Sequence, residues 1–337
     1  MSSWFLGREK QQAIKSKEDT MAGLSNPNLF LDEGAQGFTH LNDAGPDNGT
    51  FSLAEVREDS RQADRGGSRI IALPKDRYQK PPQLAKGLKA CDLKYQSRDR
   101  DGNRAIDLEV NIATHPKNTS TIRPVIQARN SSNSTQLVYD AEMNWMEAKQ
   151  GAKDCIIMTT KWDLAAGEKK KRVDFPRVFD KDVEVLCWIK DFRFLTYDGS
   201  PYSVDAWATD VTPQGFTANA SGSRCAERLG ATWIVYYKGK QKVASGSFST
   251  EDVEDREDEQ PQNAGRVEFA EGTFSKPPTV LVGLSQFDHA GSRDLRLGVY
   301  VTAVDESGFD WRLNTWGENS NDALRSAEAT FLALDFV

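Results

Sequence analysis

The 337-residue sequence predicts an all-β protein made of three consecutive six-stranded antiparallel β-sandwich domains. Three observations point there. First, residues 294–303 alternate strictly: Leu295, Leu297, Val299, Val301 and Ala303 point one way, and Asp294, Arg296, Gly298, Tyr300 and Thr302 point the other. A period of two is the signature of a strand with one face buried. Second, the frame around that run recurs twice upstream, at a spacing of about 95 residues that makes each copy a whole domain and not a solenoid unit. Third, the copies read as short runs bounded by Gly, Pro and Asn, without the apolar spacing of an amphipathic helix.

Residues 1–45 lie outside this frame. A short polar helix is expected over residues 8–21, broken by Asn26-Pro27-Asn28, Gly34 and Gly37. The first copy spans 46–147. Its Gly49-Thr50-Phe51-Ser52 matches Gly246-Ser247-Phe248-Ser249, and Ile70, Ile71 and Leu73 correspond to Val267 and Phe269. Tyr78-Gln79-Lys80-Pro81-Pro82 lines up with Phe274-Ser275-Lys276-Pro277-Pro278, and Gly87 to Asp92 falls on Gly283 to Asp288 without a gap. Ile106, Leu108, Val110 and Ile112 take the places of Leu295, Leu297, Val299 and Val301, and Trp145 that of Phe331. The middle copy, 148–240, is looser. Val173, Phe175, Phe179 and Gly215-Phe216 keep the frame, Tyr202, Val204, Ala206 and Ala208 alternate inward, and Trp233 closes it. The third copy, 241–337, is the clearest.

Composition excludes several classes. With 50 acidic against 43 basic residues the net charge is −7, so no nucleic-acid partner is expected. The one compact basic run, Lys169-Lys170-Lys171-Arg172, reads as a solvated loop. No apolar run approaches the ~20 residues that span a bilayer, so no membrane insertion is expected. The N-terminal residues lack a secretory leader pattern. That implies a cytoplasmic or non-classically secreted protein and leaves action outside the cell open. Cys91, Cys155, Cys187 and Cys225 show no paired spacing and read as reduced, mostly buried thiols. The sequons at Asn48, Asn118, Asn130, Asn133 and Asn219 read as chance products of a polar surface.

No chemistry of catalysis stands out. His40, His115 and His289 are isolated, and a loop histidine such as His289 reads as solvated or capping. There is no HExxH, P-loop or GxSxG pattern, and an enzyme is not expected. The acidic run from Glu251 to Glu259 lacks calcium-loop spacing and has Arg256 in its middle, so neither a metal nor a cofactor is expected. The sharper constellation is Arg296, which faces away from the core positions of its strand, and Trp316, which opens a polar loop with Gly317, Asn319 and Asn321. An indole ring packs on the apolar face of a sugar, and fixed polar donors bind its hydroxyls. The alternative is that Trp316 folds back on the core while Arg296 makes a cross-strand ion pair.

At these residues the sequence resembles the H-type lectin domain, the fold of snail agglutinins and of the C-terminal domains of slime-mould discoidins. The shared features are the Phe before Pro277-Pro278, Leu284-Ser285-Gln286-Phe287-Asp288, Leu295-Arg296, Gly308-Phe309, Thr315-Trp316 and the final strand. The resemblance implies a six-stranded antiparallel β-sandwich that binds galactose- or N-acetylgalactosamine-type glycans without catalysis. It places the family's binding arginine on Arg296, its tryptophan on Trp316, and its carboxylate on Asp255 or Asp258. The family's aromatic falls on Arg325 here, and in the first copy on Tyr139. In the middle copy the arginine and tryptophan places are Ser203 and the neighbourhood of Ser223; in the first the arginine place is Asp107. Binding is therefore expected mainly through the third copy, and further oligomerisation would cross-link glycans. The alternative is a structural or protein-interaction scaffold that kept the fold and lost the sugar. Because domains of this family commonly form trimers, three copies in one chain also imply a pseudo-trimer closed within the chain.

Overall fold

In a computed structural model the protein is described for residues 48–335, apart from 58–65, 74–77, 79, 96–104, 115–119, 129–137, 149–153, 196–198, 254–259, 292 and 318–322. Among the described residues the elements are strands and two single-turn 3-10 helices. A first set comprises β1 (Asn48–Ser52), β2 (Gly66–Ser68), β3 (Ile71–Ala72), β4 (Gln83–Leu93), β5 (Ala105–Ala113), β6 (Thr121–Gln127) and β7 (Val138–Ala148). A second comprises β8 (Cys155–Asp163), β9 (Lys170–Asp174), β10 (Val183–Leu195), β11 (Tyr202–Thr212), β12 (Gly215–Gly222) and β13 (Ala226–Tyr237). A third comprises β14 (Val243–Ser249), β15 (Gln262–Glu268), β16 (Thr279–His289), β17 (Leu295–Thr302), β18 (Gly308–Asn314) and β19 (Leu324–Leu334). The protein is all-β, and the described strand pairings are antiparallel.

The Gly-x-Phe-Ser motif has a local physical cause. Phe51 and Phe248 are buried, and the following serines cap matching 3-10 turns, Ser52 with Glu55 and Ser249 with Asp252. The glycine suits the closely packed neighbouring strand. A Cβ on Gly49 would sit 3.1 Å from the Trp145 ring, and one on Gly246 3.0 Å from Phe331.

The sheets do not stop where the sequence repeats. Their strand orders are β1-β7-β4-β17-β18-β15, β2-β6-β5-β10-β13-β8 with β3 also on β6, and β14-β19-β16-β11-β12-β9. Each set therefore gives three strands to one sheet and the rest to another. Three seams link the sets in a cycle: β4 with β17, β10 with β5, and β16 with β11. A three-stranded half-sandwich leaves an edge of unpaired backbone groups, and each seam covers two such edges.

Two apolar clusters follow. The larger fills the sandwich interiors and includes Leu295, Leu297, Val299, Ile106, Leu108, Val110, Trp145, Trp233 and Phe331. The smaller draws on all three sets, with Ala85, Met146, Leu186, Trp188, Ile234, Leu281 and Leu332. Trp188, Gly87 and Gly283 occupy the same register position in their sheets, opposite Thr232, Asn144 and Thr330. One indole fills the space that the two glycines leave: a Cβ on Gly87 would lie 2.6 Å from Trp188 Cβ, and one on Gly283 2.5 Å from Trp188 Cδ1. Side chains lace the sets together there. Asn144 Nδ2 donates to the Val282 carbonyl at 2.9 Å, and Thr330 Oγ1 to the Cys187 carbonyl at 2.7 Å.

Three local expectations change. The basic run is not a loop: Lys170, Lys171 and Arg172 lie in β9, an edge strand whose charges discourage further pairing. Ile70 is exposed between two short strands instead of inside one. His289 is buried at the end of β16, neither solvated nor in a loop. The four cysteines are buried and no disulfide joins them. Asn48 and Asn219 are buried within strands, which denies those sequons to modification, while Asn118, Asn130 and Asn133 lie outside the described residues.

Candidate functional site

The period of two on β17 puts Leu295 and Leu297 in the core and Arg296 on the outer face. Across the first seam the register sets Arg296 opposite Asp92 of β4, and Asp92 opposite Asp140 of β7. Arg296 Nε donates to Asp92 Oδ1 at 3.0 Å and Nη2 donates to Asp294 Oδ2 at 2.9 Å. The other oxygen of Asp294 accepts the Tyr95 backbone N–H at 2.8 Å, tying the residues after β4 to those before β17. Both charges are partly covered, with the Arg296 side chain 25% exposed and that of Asp92 17%. Burial pushes the Asp92 carboxyl above the usual carboxylate range, against the opposing pull of Arg296 and the Trp316 N–H.

Trp316 follows β18 in a loop pinned from below. Thr315 is buried and donates its N–H to the Pro261 carbonyl at 2.9 Å. His289 Nδ1 lies 3.0 Å from the Ala290 carbonyl, which only accepts, so Nδ1 carries the proton and Nε2 accepts from Thr315 Oγ1 at 3.4 Å. Burial holds the His289 pKa down at about 4, which keeps this ring neutral. Tyr202 of β11 stacks on it, with centroids 6.2 Å apart. The half-buried Trp316 then turns its indole N–H to Asp92 Oδ2 at 3.4 Å. Gly317 has φ 116°, a conformation that favours glycine, and a Cβ there would displace the Arg296 guanidinium.

The predicted pair is therefore brought together, and the group that joins it is a carboxylate from the first strand set. Arg296 does make a cross-strand ion pair, and its partner belongs to another copy. Tyr139 stands on β7 beside Asp140, two strands from Arg296 in the same sheet. Its described contacts are with Lys94, whose Nζ lies 6.0 Å over the ring, and with Arg57, which donates to its carbonyl at 2.7 Å. Asp255 and Asp258 lie outside the described residues. Asp92, Asp294 and Gly317 were not singled out as site residues from the sequence, although Asp92 aligns with Asp288.

The other seams differ at the same positions. In the second, Arg193 of β10 faces Asp107 of β5, and Arg228 of β13 donates to Asp107 Oδ1 at 2.7 Å. In the third, Asp288 of β16 faces Ser203 of β11, with Arg325 Nη1 3.9 Å from Asp288 Oδ1. Ser203 and Ser223 satisfy each other there through two hydrogen bonds, of 2.8 and 3.3 Å.

Residues 265–334 match the H-type lectin domain. This family is non-enzymatic and binds carbohydrate, which makes carbohydrate binding the general function indicated for that stretch. No curated protein and no solved structure matches the chain. Among the described residues no helix is long and apolar enough to cross a membrane, and no cluster of His, Cys, Asp and Glu is arranged to hold a metal ion.

Proposed function

We propose that the chain is a non-catalytic lectin that binds galactose- or N-acetylgalactosamine-type glycans at the seam between β4 and β17. The observation that carries this is the pairing of Arg296 and Trp316 over one carboxylate, with the indole half-buried and the guanidinium partly exposed. An indole face and a charged donor in fixed relation suit a pyranose, which needs an apolar platform and directional hydrogen bonds at once. The match to a carbohydrate-binding family over the stretch that holds both residues supports the same reading. On a glycan array, Trp316→Ala is expected to abolish binding while the melting curve stays near wild type; array signals equal to wild type would remove the site.

We also propose that the three copies act as a pseudo-trimer closed within one chain, which replaces bimolecular assembly by short connections. The cyclic sharing of strands between the sets supports it. A second reading, a scaffold that lost the sugar, draws on a specific observation: Arg296 is already held by two carboxylates, and among the described residues neither other seam has an arginine–tryptophan pair. Absence of hits for the wild-type chain on the array would favour that reading.

A further inference from the structure

We propose that Asp92, supplied by the first strand set, is the positioning and charge-selecting residue of the site, holding Arg296 and Trp316 in one geometry and confining the site to uncharged sugars. This deepens the lectin reading and rests on it.

Three observations support the assignment. The two oxygens of Asp92 divide their work: Oδ1 accepts from Arg296 Nε at 3.0 Å and Oδ2 from Trp316 Nε1 at 3.4 Å. A guanidinium on a strand and an indole on a loop have no mutual hydrogen bond to offer, since both are donors. A carboxylate between them is the acceptor that fixes both. Second, the rest of the surround is rigid where it meets these groups. Asp294 orients the far side of the guanidinium, Gly317 lies against Nη1, and the buried Thr315–His289 contact fixes where Trp316 starts. Third, the charges are unequal. Asp92 and Asp294 both hold one arginine, Asp140 stands opposite Asp92 on the next strand, and Lys94 lies near Tyr139 at the border. An anionic ligand approaching Arg296 meets the two carboxylates that already hold it, with a third one strand further on. A neutral sugar meets hydrogen-bond partners without that repulsion.

The strand set that supplies Asp92 differs from the one that supplies Arg296 and Trp316, so a third copy produced alone would lack this acceptor.

The test uses the full chain with wild type, Asp92→Asn, Asp92→Glu and Trp316→Ala, and two probes: N-acetylgalactosamine and its sulfate ester. Titration calorimetry gives both affinities. The indole N–H resonance of Trp316, identified by its loss in Trp316→Phe, is followed in the absence of sugar. Asp92→Asn can accept from only one of the two donors, so its affinity for the neutral sugar is expected to fall about ten-fold. Its preference for neutral over sulfated sugar is expected to shrink several-fold, because one of the two carboxylates on Arg296 has lost its charge. The Trp316 resonance is expected to shift, and Asp92→Glu to restore part of all three. A role confined to folding would move none of the ratio, the resonance or the rescue. Asp92→Asn that keeps wild-type affinity and ratio, while Trp316→Ala loses binding, overturns the proposal. A wild-type chain that binds neither sugar overturns the lectin reading itself; the resonance then decides for Asp92 alone, and a signal unmoved by Asp92→Asn overturns its role.

Discussion

The first and second seams occupy equivalent positions and carry opposite charges. At the first, Asp140, Asp92 and Arg296 stand in a row across β7, β4 and β17; at the second, Arg228, Arg193 and Asp107 stand in the same row across β13, β10 and β5. The inversion makes the two strand edges mutually exclusive. If β4 paired with β5 of its own set, Asp92 and Asp140 would meet Asp107. If β10 paired with β17, Arg193 and Arg228 would meet Arg296. Like charges directly opposite on a sheet are destabilising, so these six side chains disfavour the exchanged pairings of β4 with β5 and β10 with β17.

The seams also differ in depth. Around Asp107 the second seam sinks into a charge network. Asp191, with no exposed side-chain surface, pairs with Lys190 at 2.7 Å and with Arg228 at 2.9 Å, and Lys161 lies 3.3 Å away. Burial pushes the Asp191 carboxyl up, but Lys190, Lys161 and Arg228 together hold it below the usual range. The field reaches Lys86 on β4, whose ammonium is pushed down to about 8 by burial and by Lys190. The first seam keeps its pair shallower and one indole beside it. On the proposed reading the second seam supplies cohesion and the first seam recognition.

The largest expected effect tests that division where charges are deepest. Asp191→Ala leaves Lys190 buried without its nearest counter-charge, and breaking such a pair costs about 3–5 kcal/mol. Chemical denaturation should show that loss, with glycan binding by the folded fraction unchanged. A cost under ~1 kcal/mol would mean that water already screens the network, and the contrast between the seams would fail.

Acid gives the next effect, and it reaches the first seam from beneath. The pKa of His289 falls from an ordinary 6.5 to about 4 in the folded chain, because burial disfavours the charged ring. Between those values the unfolded chain takes up a proton that the folded chain refuses. Stability is therefore lost as pH falls from about 6.5 towards 4, by about 3 kcal/mol at most. Near pH 4 and below, where the folded ring itself takes the proton, Nε2 loses the lone pair that accepts from Thr315, and the Trp316 loop should loosen there. Denaturation curves taken across this range should flatten in His289→Phe. A pH dependence identical in that variant would assign the effect to another group.

How much of this was legible in the sequence depends on whether the signal is local. Arg296 shows because it sits on the outward phase of an alternating strand, and Trp316 because it opens a polar loop. Gly49 and Gly246 show through their repeated motif, although the aromatic rings that demand them come from the closing strands. Asp92 does not show: its partner is 204 residues away, and alternation tells which face of a strand is buried, not which strand lies at its edge. The same limit hides the seams. A six-strand count per copy is compatible with closed sandwiches and with shared sheets alike, and only the opposed charges at Asp107 and Arg296 hint at the choice. His289 reads as a loop residue because β16 runs on beyond its apolar stretch, where the ring is covered by Tyr202 from another copy.

The smallest effect on stability is the one that separates the two roles most cleanly. Arg296→Lys keeps the positive charge opposite Asp92 and discards the planar fork that reaches Asp92 and Asp294 together. Since the pair is partly exposed, the change in unfolding free energy should stay within about 1 kcal/mol. Glycan binding should nevertheless fall, because a lysine ammonium has one point of donation where the site uses two directions. Calorimetric titration beside a melting curve reads both quantities on the same sample. Binding that survives the exchange would leave Arg296 as a seam residue whose counterpart is Asp107, and the first seam would then differ from the second in the sign and depth of its charges alone.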